Sequence, residues 1–106
     1  MIDWTRVEEL KAEIGTDEFL EVADLFLEET DEAIVTLPVP APDTVVRERL
    51  HFLKGSALNL GFEVMADLCS RGERLAAAGQ SAEIDMGQIV SVYGESKALL
   101  LSRLPG

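Results

Sequence analysis

Cysteine is almost missing from this chain, with Cys69 the single one in 106 residues. No internal disulfide can form, and no Cys-x-x-Cys or Cys/His spacing of a metal site occurs. That pattern suits a reducing compartment and gives no sign of a bound metal or cofactor. Long apolar runs are missing too: no stretch nears the roughly 18 residues that a membrane span needs. Met1-Ile2-Asp3-Trp4 lacks the basic start and apolar run of a signal peptide. Together these absences predict a soluble, cytoplasmic protein without a membrane role. Positive charge is scarce, with 9 Lys and Arg against 20 Asp and Glu, for a net charge of −11. Phosphate backbones attract Lys and Arg, so nucleic acid is excluded as a partner, and anionic lipid surfaces with it. No Gly-rich nucleotide loop of the P-loop or protein-kinase kind is present, and there is no room for a separate ATP-binding domain. Strand alternation and internal repeats are both lacking.

What is present is enough for a core. The length fits one domain over residues 1–106, and the 47% hydrophobic fraction is ordinary for a folded protein. The few basic residues are unevenly placed. The stretch from Arg47 to Arg74 carries a balance of +1, so the rest of the chain carries −12. A locally neutral-to-basic stretch on an acidic body suits a site for a negative group, though charges also cluster by chance.

The whole chain reads as helix. A short first helix is expected from about Asp3 to Glu13, with Asp3 as N-cap and Gly15 ending it. Thr16 is the expected cap of a second helix, whose positions Phe19, Val22, Ala23, Phe26, Ala33 and Leu37 fall near one face. The segment Pro38-Val39-Pro40-Ala41-Pro42 breaks the pattern and reads as a stiff connector. Asp43 is the expected cap of a third helix, which reaches Leu60 before Gly61. A fourth covers about Phe62 to Ala78. Asp85, with Gln88 three residues on, opens a fifth that runs to about Leu104. Short connections make neighbours antiparallel. The expected fold is therefore all-α, an up-down antiparallel four-helix bundle with a short extra N-terminal helix.

The third helix carries the chemistry. Val46, Leu50, Leu53, Ala57 and Leu60 form one apolar stripe, and His51 lies about 140° from its centre, so it points outward. Its helical neighbours are Arg47 at i−4, Lys54 at i+3, Gly55 at i+4 and Leu58 at i+7. A lone surface His beside solvated charges is unremarkable by itself. A Gly inside the next turn is less so, because it costs roughly 1 kcal/mol against Ala.

The wider segment His51-Phe52-Leu53-Lys54-Gly55-Ser56-Ala57-Leu58-Asn59-Leu60-Gly61 resembles the signature of histidine-containing phosphotransfer domains. That signature runs His, any residue, Leu, Lys, Gly, then Ser or Ala twice, and a Gly a few residues on. Leu68 and Cys69 followed by the acidic Glu73 extend the resemblance into the fourth helix. Two departures stand out: Gly72 replaces the usual Leu before the acidic residue, and Phe52 is larger than the common residue after the His.

The resemblance implies a phosphorelay intermediate in two-component signalling. His51 attacks the phosphorus of a receiver's aspartyl phosphate through Nε2. Lys54 neutralises charge on the phosphoryl oxygens, and Gly55 leaves room for the receiver's loops. Phe52, Leu58 and Arg47 belong to the docking surface. Glu73 is the position that can accept from the imidazole Nδ1–H, although a solvated carboxylate paired with Arg71 or Arg74 fits the sequence equally well. The implied partners are response-regulator receiver domains, including that of a hybrid histidine kinase, with the chain itself a monomeric phosphocarrier that has no autokinase activity. Magnesium would belong to the receiver. Two other classes remain open: a non-catalytic helical docking module that sequesters a regulator, and a hydrolase using His51 as general base. The hydrolase lacks any accompanying nucleophile or metal constellation.

Overall fold

Apolar spacing at three and four residues, interrupted by Gly and Pro, gives a chain of five helices. A computed structural model describes residues 1–103, and the helices are α1 (Trp4–Ile14), α2 (Thr16–Ile34), α3 (Asp43–Leu60), α4 (Glu63–Ala77) and α5 (Met86–Arg103). A short 3-10 helix, Ser81–Glu83, precedes α5 and was not expected from the sequence. There is no sheet among the described residues; the one β-type contact is an isolated antiparallel bridge between Ile2 and Phe62. The bundle is elongated, 42 × 21 × 19 Å.

The helix boundaries follow local chemistry, with some corrections. Asp3 caps α1 through its carboxylate, which accepts from the Arg6 N–H at 3.2 Å. Asp85 does the same for the Gln88 N–H at 3.0 Å, at the start of α5. Thr16 and Asp43 do not cap: each is the first helical residue, and Gly15 and Pro42 occupy the flanking positions. Gly15 has φ 86°, open to glycine and costly for threonine. α2 ends at Ile34, so Leu37, expected near its apolar face, lies beyond the helix. Pro38 disfavours helical backbone at Leu37, so the chain unwinds in turns while Leu37 itself stays buried. The expected end of α5 at Leu104 lies outside the described residues.

Between α3 and α4 the reversal is tight. Gly61 takes the left-handed conformation, φ 74° and ψ 20°. The Gly61 N–H bonds to Leu58 O at 3.3 Å and the Phe62 N–H to Ala57 O at 2.8 Å, the two bonds of a Schellman cap. The N-terminal residues are tied to this turn: the Asp3 N–H donates to Gly61 O at 2.6 Å and the Glu63 N–H to Met1 O at 3.1 Å. A Cβ on Gly61 would lie 2.7 Å from Asp3 O, so a side chain there is excluded by both backbone and neighbour.

The core takes the full apolar stripe of α3: Val46, Leu50, Leu53, Ala57 and Leu60 are all buried. Opposite them α4 presents small residues, Ala66, Cys69, Gly72 and Ala76, again all buried. Large side chains against small ones let two helices approach closely. On the far side, α2 and α5 are joined by polar contacts. The Tyr93 hydroxyl donates to Asp31 Oδ1 at 2.5 Å, and Lys97 Nζ donates to Asp31 Oδ2 at 2.7 Å.

Candidate functional site

His51 follows the fully buried Leu50 on α3, so the helical step of 100° turns it out of the core. Its side chain is 74% exposed. One turn further on the same helix, Lys54 is half-buried. Across the close α3–α4 contact, Glu73 follows Gly72 and reaches both. His51 Nδ1 lies 3.1 Å from Glu73 Oε1, and Lys54 Nζ donates to Glu73 Oε2 at 3.1 Å. The Glu73 side chain is only 15% exposed, so its two oxygens are taken by two α3 groups and little by water.

The two readings that the sequence left open for Glu73 are thus separated in geometry. Arg71 pairs with Asp67 on its own helix at 2.9 Å, while Glu73 turns to α3. A carboxylate oxygen accepts hydrogen bonds, so in a neutral imidazole this contact favours the tautomer with the hydrogen on Nδ1 and the lone pair on Nε2.

Beside the ring an open cavity of about 630 Å³ is lined by Thr44, Arg47, Glu48, His51, Phe52 and Glu73. Arg47 and Phe52 therefore share one concavity with the imidazole. Leu58 is 57% exposed but does not line the cavity; it lies two turns along α3. Around Gly55 there is open space: a Cβ built there meets nothing within 4 Å. Its lack of a side chain is not required by packing within this chain.

Cys69 is fully buried behind the site. Burial pushes its thiol up to about 12, and the Glu73 charge adds to that while Lys54 opposes it. It is a small packing residue and no nucleophile at neutral pH. Among the described residues no group of three His, Cys, Asp or Glu side chains is placed to hold a metal ion. No described helix is long and apolar enough to cross a membrane.

Sequence reasoning missed three things here. Thr44 and Glu48 line the cavity, which helical spacing from His51 could have suggested. The Lys54–Glu73 ion pair carries no sequence signal, because it joins two helices. The contact of Gly72 with Leu50, whose Cδ1 would lie 2.8 Å from a Cβ at Gly72, is likewise tertiary.

The structure thus sets an exposed imidazole, with Nδ1 beside a carboxylate, on the outer face of a helical hairpin. The sequence model of the Hpt domain family matches residues 17–100. The chain belongs to the Hpt domain family. Comparison with curated proteins and with solved structures gives no match. As an Hpt domain the chain is a helical phosphocarrier module of two-component phosphorelays, and such domains interact with receiver domains. The family match covers α2 to α4 and most of α5, leaving α1 outside it.

Proposed function

We propose that His51 is the phosphorylated residue of this Hpt domain, taking a phosphoryl group from one receiver's aspartyl phosphate and passing it to another receiver. One observation carries the reading. Glu73 Oε1 lies 3.1 Å from Nδ1, a contact that in the neutral imidazole favours the tautomer with Nε2 free, and the side chain is 74% exposed. In the forward step the Nε2 lone pair forms an N–P bond as the P–O bond to the aspartate breaks, and the carboxylate leaves with its electron pair. Nδ1–H stays on the ring, and the positive charge gained there faces Glu73. The return step is the reverse on the second receiver's aspartate.

Lys54, one turn along α3 from His51 and paired with Glu73, supplies positive charge to the phosphoryl oxygens during transfer. Gly55 admits the receiver's loops, and Arg47, Phe52 and Leu58 provide the surrounding docking surface. The partners are receiver domains of response regulators and of a hybrid histidine kinase. The chain works in the cytoplasm without nucleotide or metal of its own.

Incubation with a phosphorylated receiver tests this directly. Transfer gives acid-labile, base-stable label on this chain that disappears in His51→Gln. Binding without label would make the chain a docking module, and free phosphate without a labelled intermediate would make it a hydrolase.

A further inference from the structure

Gly72 does not line the cavity beside His51, yet it faces the side chain of Leu50 on α3. A Cβ at this position would lie 2.8 Å from Leu50 Cδ1, 3.5 Å from Leu50 Cδ2 and 3.6 Å from Ile84 Cγ2. Real Cβ atoms do not approach carbon at 2.8 Å. Leu50 is fully buried, so its methyl has close-packed neighbours and cannot swing into solvent. Ile84, at 3.6 Å, would be in ordinary van der Waals contact. A methyl at position 72 must therefore displace Leu50, or α4, or both.

Both displaced parts carry the site. His51 is the residue after Leu50, and Glu73 is the residue after Gly72. The contacts of Glu73 with His51 and Lys54, each 3.1 Å, lie at the outer limit of a good charge-assisted hydrogen bond. A shift of a few tenths of an ångström weakens both. Gly is also a poor residue for the interior of α4, since it loses more backbone entropy on ordering than any other. Its presence there is explained by the close approach and by nothing in the helix itself.

We infer that Gly72 is a positioning residue for phosphotransfer: its missing side chain sets the α3–α4 spacing at which the Glu73 carboxylate reaches His51 Nδ1 and fixes the tautomer with Nε2 free. This rests on His51 as the phosphorylated residue, and it adds what determines the geometry of that residue's support.

The test is Gly72→Ala, a change that favours helix and adds one methyl. His51 is the only histidine, so long-range 1H–15N NMR of the ring nitrogens reads its tautomer without ambiguity. In the native protein at a pH where the ring is neutral, Nδ1–H should predominate. In Gly72→Ala the ring should move toward the mixture of an unpartnered imidazole. Transfer from a phosphorylated receiver should slow about three- to tenfold, the scale of one weakened hydrogen bond. In a Glu73→Ala background, Gly72→Ala should change neither measurement further. Leu50→Val removes the δ-methyls that meet the new Cβ, so Leu50→Val with Gly72→Ala should restore the Nδ1–H form and most of the rate. A native tautomer in Gly72→Ala overturns the inference, and so does an effect that persists without Glu73 or is not relieved by Leu50→Val. The tautomer is measured on unphosphorylated protein. It therefore decides the role of Gly72 even if His51 takes no label, an outcome that would instead remove the functional reading above.

Discussion

The same three-group pattern occurs at two seams of this bundle. Between α3 and α4, the Glu73 carboxylate holds a lysine and an aromatic ring, Lys54 and His51. Between α2 and α5, the Asp31 carboxylate also holds a lysine and a ring, Lys97 and Tyr93. The difference lies in where the ring is. Tyr93 is buried at 4% exposure and its hydroxyl lies 3.3 Å from Leu27 O as well, so this ring is enclosed in the core. His51 is 74% exposed with its second nitrogen free of Glu73. A carboxylate that bridges a lysine and a ring is thus a structural clamp at one seam, and at the other it supports the exposed imidazole that we propose carries the phosphoryl group. Solvent access of the ring, and not the pattern itself, separates the two.

The sharpest way to break this comparison is to remove each ring's reactive atom. His51→Gln should abolish phosphoryl labelling and leave the urea midpoint unchanged, because the exposed ring adds little to the core. Tyr93→Phe should do the opposite, keeping transfer while lowering stability by about 1 kcal/mol for the lost buried hydrogen bonds. Labelling of a folded His51→Gln protein would falsify the assignment.

Next come the lysines. Lys54→Ala should slow transfer by roughly one to two orders of magnitude, about 1.4–2.7 kcal/mol of lost transition-state stabilisation. It should also destabilise the fold by about 1 kcal/mol, since the sequestered Glu73 carboxylate loses a charged partner. Its counterpart Lys97→Ala should leave the transfer rate at the native value. Equal kinetic effects of the two would mean that overall charge, and not the site, is being sensed.

A pair of glycines sharpens the comparison further. Gly55 on α3 and Gly94 on α5 are both inside helices, and a Cβ at either meets nothing within 4 Å. Replacing either by Gln should stabilise the helix by up to about 1 kcal/mol. Only Gly55→Gln should also cut transfer, by about tenfold or more, because its side chain stands in the receiver's approach. Stabilised Gly55→Gln with a native rate would mean that the gap beside His51 has no part in docking.

The smallest effects concern pH. Burial raises the Tyr93 phenol, and the hydrogen bond to Asp31 and its charge raise it further. Burial likewise holds Cys69 at about 12. Both protons are retained in the folded state where the unfolded chain releases them. Their stabilising contribution is therefore complete below about pH 8.5 and lost progressively as pH rises through the thiol and phenol ranges. Asp31 works in the other direction. Burial raises it, but the hydrogen bonds from Lys97 and Tyr93 and the Lys97 charge outweigh that and hold it below the usual carboxylate range. Its contribution is present above about pH 4 and lost as pH falls through the lowered value, and it is small because the side chain is 45% exposed. Urea midpoints across pH should show the alkaline loss reduced in Tyr93→Phe and in Cys69→Ala.

Helix number, the α3 stripe and the outward His51 were legible in the sequence because each is a property of one helix, written in its period. The Gly61 turn was legible because a left-handed backbone asks for glycine. The caps at Gly15 and Pro42 were missed since Thr16 and Asp43 are good caps in isolation, and the backbone on either side chose otherwise. The Glu73 bridge, the Gly72–Leu50 contact and the Asp31 clamp join separate helices. Their partners follow from rotation and spacing of whole elements, which no local pattern records.

The Schellman turn at Gly61 has a consequence for how the site comes into being. His51 and Glu73 are only 22 positions apart along the chain, on the two arms of a single hairpin. Closing so short a loop costs little entropy, and adjacent helices find each other faster than distant ones. The α3–α4 hairpin is therefore the expected nucleus of folding, with the reactive geometry assembled in it. Under native conditions, amides of Leu53 to Leu60 and of Met65 to Ala76 should exchange more slowly than those of α1, so that fraying at the N-terminal helix leaves the transfer machinery intact.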